Sequence, residues 1–175
     1  FVEQLHKNIE DINEQWIKKQ QKYLLSFLQV SLKNAQVDME ALNTFNKFGV
    51  NLFMAGACET LRKKHNLDAN TMSLLLTKPV TYMGFKKSDA EVFADKIQDY
   101  LLADTKYLQA YNAGQSIMIS HLAEDPSAMN YLKLVLEEWN KPKETIEATP
   151  QAIDSSEMSK ELNHSAVLAR REQRQ

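Results

Sequence analysis

Glycine and proline, the two residues that interrupt regular helices, occur only four times each in 175 residues. Leu, Lys, Gln, Glu, Ala and Met fill the intervals between them, and no stretch alternates apolar with polar residues between turn signals as a half-buried strand must. The chain therefore reads as all-α. With 43% hydrophobic residues it is long enough for one packed core but not for two full domains. We expect a single irregular bundle of about six to seven helices over residues 1–142, followed by an extended tail, 143–175, that holds a short conditional helix.

Val2, Leu5, Ile9, Ile12 and Trp16 recur at steps of three and four, a narrow stripe of the coiled-coil kind flanked by Glu3, Lys7, Glu10, Asp11 and Glu14. Lys19 and Gln20 take the next seam positions, after which Tyr23, Leu24, Phe27, Leu28, Leu32 and Ala35 make a broader face suited to a globular core. Residues 1–35 thus form a long amphipathic helix with a solvent-projecting end and a buried end, and residues 38–142 form the bundle. Asp38 restarts or continues the helix with Met39, Leu42, Phe45 and Phe48 inward, until Gly49 loosens it. A helix from Val50 to His65 closes on Arg62, Lys63, Lys64 and His65, cations that suit a helix C-terminus, with Asn66 as a left-handed cap.

Further along, Asp68 caps a short helix through Leu76, Pro79 ends or displaces it, and Met83-Gly84-Phe85 is a turn. Ser88 and Glu91 have the spacing of a capping box, which starts a helix at Asp89 that runs to Leu102. Asp104 caps a helix from Lys106 to Leu122. Asp125 and Pro126 open one from Ser127 to Trp139, and Pro142 marks the edge of the body. In the tail, Ser155 or Ser156 caps a helix from Glu157 to Glu172 with Met158, Leu162, Ala166 and Ala169 along one face. One narrow stripe does not stabilise such a helix in water, so it folds against a partner.

Catalytic patterns are missing from the sequence. His6, His65, His121 and His164 fall in four separate segments without ligand spacing, which leaves no metal site to propose, and Cys58 reads as a small core residue. Glu91, Asp95 and Asp99 share one helix face that reads as solvated, and Gly49, Gly56, Gly84 and Gly114 are too scattered for a phosphate loop. Ala55-Gly56-Ala57 and Ala110 with Gly114 permit close approach of two helix backbones. Trp16, Tyr23, Tyr107, Tyr111 and Trp139 read as core aromatics. No enzyme activity and no cofactor are expected.

With 21 basic against 23 acidic residues the charge is nearly balanced, which argues against a nucleic-acid partner. A single cysteine leaves no intrachain disulfide and points to the cytoplasm or the inner face of a membrane, and no uncharged run is long enough to span a bilayer. Phe1 is not methionine, so the chain reads as processed or as part of something longer. The function that fits is a non-enzymatic adaptor or scaffold subunit of a multiprotein complex. It would bind other protein subunits through Met158, Leu162, Ala166 and Ala169 in the tail and Leu5, Ile9, Ile12 and Trp16 in the first helix. Membrane contact would come only through that helix or a larger complex.

Phe53-Met54-Ala55-Gly56-Ala57, then Leu61, His65 and Leu67, and later Ala113-Gly114-Gln115-Ser116-Ile117-Met118 resemble small helical accessory subunits of bacterial secretion systems, of the kind found in the Dot/Icm type IV coupling complex. That resemblance spans Val50 to Trp139 and implies an effector-recruiting or structural adaptor. Similar stretches also follow some bacterial nucleotide cyclase domains, which would make this a helical regulatory domain of a signalling enzyme. The segment Trp16 to Tyr23 is similar in composition to phasins, which coat polyester granules, and implies a granule- or membrane-surface protein instead.

Overall fold

The structure is a computed structural model and describes residues 1–142. Among these residues six α-helices follow one another: α1 (Val2–Asn34), α2 (Thr44–Lys64), α3 (Thr71–Tyr82), α4 (Lys87–Ala103), α5 (Thr105–Leu122) and α6 (Leu132–Trp139), with a 3-10 turn at Ala128–Asn130 before the last. Among the described residues there is no strand, and residues Phe1–Asn140 form one compact unit. The tail residues Met158, Leu162, Ala166 and Ala169, and the helix expected around them, lie outside the described residues.

α2 is the central element. Every residue from Gly49 to Cys58 is buried, so this helix is enclosed on all sides. Its closest neighbour is α5, and the two small-residue segments marked in the sequence meet there. A Cβ on Gly56 would lie 1.9 Å from the Tyr111 carbonyl oxygen, and one on Gly114 would lie 1.8 Å from that of Phe53. The backbones touch with no layer of side chains between them. Phe27 of α1 stacks on Phe53 with ring centroids 6.2 Å apart, and Leu24, Leu28 and Leu32 continue that buried face.

Four helices end in the same way. Gln36, Asn66, Gly84 and Glu124 all take positive φ, and the amide that follows each one donates to a carbonyl five residues back: Val37 to Leu32, Leu67 to Arg62, Phe85 to Val80 and Asp125 to Ser120. Asn66 fulfils its expected cap at φ 60°. Asp104 also caps as expected, its carboxylate accepting from the Lys106 amide at 2.9 Å.

Other boundaries differ from the sequence reading. Residues 38–43 form turns rather than helix, and α2 starts at Thr44 because the Asn43 side chain accepts from the Asn46 amide at 2.8 Å. Gly49 does not loosen that helix, and Phe45 stays 45% exposed at the edge of the body rather than in its core. Gly49 sits inside α2, where the Trp139 ring lies so close that a Cβ would stand 2.7 Å from it. Asp68 forms a turn before α3, accepting the Thr71 amide and hydroxyl on its carbonyl.

Pro79 does not end α3, which runs on to Tyr82. It falls in the last turn, where it removes one backbone bond only, and its ring is buried in the core. Asp89 is the third residue of α4 rather than the first, because its carboxylate reaches back to the Lys86 amide at 2.8 Å. The expected helix from Ser127 is divided. Asp125 accepts from the Ser127 amide as a cap should, but the chain turns as a 3-10 segment that buries Ala128 and presents Asn130 to the Asn34 amide group at 3.1 Å.

Because backbone atoms oppose both glycines, neither contact can relax by moving one side chain. Gly56→Ala and Gly114→Ala should each destabilise the fold by about 3 kcal/mol or more in urea denaturation. A loss below about 1 kcal/mol, the usual helical gain of alanine notwithstanding, would show that the two helices are not in backbone contact.

Candidate functional site

The N-terminal half of α1 is the most unusual surface. Residues 1–15 are all exposed, including the apolar Val2, Leu5, Ile9 and Ile12, of which Ile12 is 64% and Val2 59% accessible. At 1.5 Å per residue this length extends for about 22 Å beyond the body. Trp16 is the first stripe residue to touch the rest of the chain, its ring standing edge-on to His65 with centroids 4.9 Å apart. From there the helix is held: Gln20 is buried, and the Gln21 amide donates to the Leu74 carbonyl at 2.8 Å. The structure thus brings Leu5, Ile9, Ile12 and Trp16 onto one face, three of them clear of the body and the fourth at its edge.

Charge is divided along the same helix. Residues 1–15 carry Glu3, Glu10, Asp11 and Glu14 against Lys7 alone. At and beyond the level of Trp16 stand Lys18, Lys19 and Lys22, with Lys63 and Lys64 beside His65 at the C-terminus of α2. Glu14 and Lys18 meet at 3.2 Å on the exposed surface, a pair of small energetic weight. His65 stands at the C-terminus of α2 with its ring against Trp16. Burial, then the neighbouring Lys64, holds it below the ordinary histidine range. His121, packed against Tyr23 and Phe27, is likewise lowered by burial, while His164 lies outside the described residues.

A second polar cluster escaped the sequence reading. The Glu59 carboxylate takes two hydrogen bonds of 2.8 Å from Arg62, whose remaining terminal nitrogen donates to the Leu67 carbonyl at 2.7 Å. The hydrogen bond from Arg62 holds the Glu59 carboxyl below its usual range. Beside them Tyr111 is 8% exposed, and burial followed by the Glu59 charge pushes its phenol up to about 12. These three line a cleft of about 430 Å³ with Asn70, Ser73 and Asp95. The Glu59 carboxylate is engaged on both oxygens, so the cluster pins the α2–α3 loop. The spacing of Glu59 and Arg62 was visible in the sequence as a pair three apart. Tyr111 belongs to α5 and joins them only through the tertiary crossing.

At the opposite end of α2 an aromatic cluster closes the body. Phe48 meets Tyr100 and Tyr107, each at 5.1 Å, and Trp139 stacks on Phe45 at 4.8 Å. The Trp139 indole donates to the Phe45 carbonyl at 3.1 Å, and the Lys106 ammonium donates to the Trp139 carbonyl at 2.5 Å while lying over both rings. Tyr107, Tyr111 and Trp139 are therefore packing residues. A narrow apolar groove of about 230 Å³ remains between α5 and α6, lined by Ala110, Ala113, Leu134 and Val135.

Cys58 is fully buried, and burial pushes its thiol far above the ordinary range, so it presents no thiolate at neutral pH. Glu91, Asp95 and Asp99 are exposed on α4. Among the described residues no group of three His, Cys, Asp or Glu side chains is placed to hold a metal ion, and no helix is long and apolar enough to cross a membrane. The chain matches no protein-family model, no curated protein and no solved structure.

The lowered Glu59 carboxyl ties stability to pH. Its contribution is complete above the unfolded value of about 4.3 and is lost as pH falls through the lower folded value. Glu59→Gln should cost about 1 kcal/mol at neutral pH and flatten the decline in stability below about pH 4.5, measured by urea denaturation at graded pH. An acid limb as steep as that of the parent would refute the role given to this pair.

Proposed function

We propose that the protein is a non-enzymatic helical adaptor that docks to other protein chains through the projecting half of α1. The observation that supports this reading most directly is the exposure of Val2, Leu5, Ile9 and Ile12 on one face of a helix whose other half is fixed in a packed body. An apolar stripe at helical spacing is the form in which one helix recognises another or a groove. The tail stripe of Met158, Leu162, Ala166 and Ala169 is the second contact proposed from the sequence, outside the described residues. A cytoplasmic place, at the inner face of a membrane when the partner is membrane-bound, suits a chain whose single cysteine is a buried free thiol. A part in a bacterial secretion apparatus is the form of this role suggested by the sequence resemblance.

Surface coating of a granule or membrane is the alternative use of the same stripe. The four carboxylates of residues 1–15 work against attachment to anionic lipid, which favours lysine and arginine beside the apolar face.

Ile9→Asp should leave thermal unfolding of the body unchanged, because the position is exposed, and should remove capture of a stoichiometric protein partner by at least tenfold in an affinity pull-down. Leu162→Asp should weaken the same capture. Retention of the partner by Ile9→Asp would contradict the reading. Stripe-dependent co-sedimentation with lipid vesicles, without protein capture, would replace it by the coating role.

A further inference from the structure

Residues of α2, α3, α4 and α5 together line the cleft that holds Glu59, Arg62 and Tyr111. We propose that this cleft binds a small organic amine bearing a hydroxyl group, its ammonium meeting Asp95 and its hydroxyl meeting Tyr111. The site is separate from α1 and needs neither the exposed stripe nor the tail.

The Tyr111 phenol carries the first part of the case. The residue is only 8% exposed, yet its hydroxyl has no hydrogen-bond partner among the described residues. A hydroxyl so enclosed costs free energy unless something pairs with it, and folded chains seldom leave one unmet. It lines the cleft beside Glu59 and Arg62 and feels the charge of both. Its backbone is fixed, because the Tyr111 carbonyl oxygen is pressed against Gly56. Burial keeps the phenol protonated at neutral pH, so it can donate to a ligand oxygen or accept from it. With about 430 Å³ the cleft exceeds what a single water fills and falls among sites that hold small molecules.

Charge decides the class of ligand. Glu59 and Arg62 are joined by two hydrogen bonds of 2.8 Å and neutralise each other. Asp95, contributed by α4, makes no salt bridge among the described residues. Glu91 and Asp99 lie one helical turn before and after it, while Lys96, its neighbour in sequence, does not line the cleft. One carboxylate without a counter-charge favours a monocation and disfavours an anion. Asn70, Ser73 and Gln98 add uncharged polar groups. Ala69, Met72, Ala94 and Ile97 supply the apolar surface on which a short hydrocarbon joining the two polar ends can rest.

Leucinol has these three parts and is protonated at neutral pH. N-acetylleucinol and N-acetylleucine carry the same hydrocarbon as a neutral molecule and as an anion. In amide NMR titrations of the full chain, leucinol should shift residues that line the cleft with millimolar affinity, and the two acetylated compounds should bind at least about fivefold more weakly. Asp95→Asn should lower leucinol affinity by about fivefold. Tyr111→Phe keeps the ring and should lower it several-fold while leaving thermal unfolding unchanged, since the hydroxyl has no partner in the fold to lose. Absence of cleft shifts up to about 10 mM leucinol overturns the proposal, as does equal binding of N-acetylleucine. A lower unfolding temperature in Tyr111→Phe also overturns it, by giving the hydroxyl a structural bond instead of a ligand.

Discussion

The backbone contact between α2 and α5 is the constraint from which the rest of the body follows. With Gly56 against the Tyr111 carbonyl and Gly114 against that of Phe53, the two helices meet backbone to backbone. That proximity puts α2 at the centre, where its buried residues are mostly apolar or small, as Leu52, Phe53, Met54, Ala55 and Cys58 are, with Asn51 the polar exception. It also fixes what happens at either end. Toward the C-terminus the Thr60 hydroxyl reaches the Gln115 carbonyl at 3.2 Å, and Tyr111 comes to rest beside Glu59 and Arg62. Toward the N-terminus Gly49 admits the Trp139 ring, which draws α6 across Phe45 and Phe48.

Where a residue's own chemistry decides its conformation, the sequence sufficed. Asn66 tolerates positive φ, Asp104 accepts an amide in the first turn, and paired small residues permit close helices; each appears where its type implied. Where packing decides, local rules failed in a consistent way. Gly49 and Pro79 both read as interruptions, yet both lie within helices: the Trp139 ring fills the space a side chain would take at Gly49, and Pro79 gives up one backbone bond while its ring is buried. Gln36 and Glu124 hold the left-handed position without being glycine or asparagine, so nothing in their type announced the helix ends they form.

The same division governs the surface. The stripe of Leu5, Ile9, Ile12 and Trp16 was visible because a helical repeat is a property of one segment alone, and the fading of that repeat at Lys19 located where the body begins. The cluster of Glu59, Arg62 and Tyr111 was not visible, since it is assembled by a crossing between residues 52 positions apart in the case of Glu59 and Tyr111. Arg62 looked like a cation serving the helix dipole. Its guanidinium instead closes on Glu59 and the Leu67 carbonyl, leaving Lys63 and Lys64 to carry the exposed positive charge at that end.

Continuity between the two halves of α1 gives the exposed stripe its physical meaning. A separate helix of about fifteen residues is marginal in water because its first turn must be nucleated at a cost that few hydrogen bonds offset. Here the turns from Gln20 onward are already fixed by burial of Leu24, Phe27 and Leu28, so the projecting segment extends an existing helix and needs only propagation. In the docking proposed above, a partner would meet an ordered apolar face, and less conformational entropy would be lost than on ordering a free peptide. The body that α2 and α5 lock together thereby supports the segment that carries Leu5, Ile9 and Ile12 in one line, and loosening that support would weaken the proposed docking even at residues the body never touches.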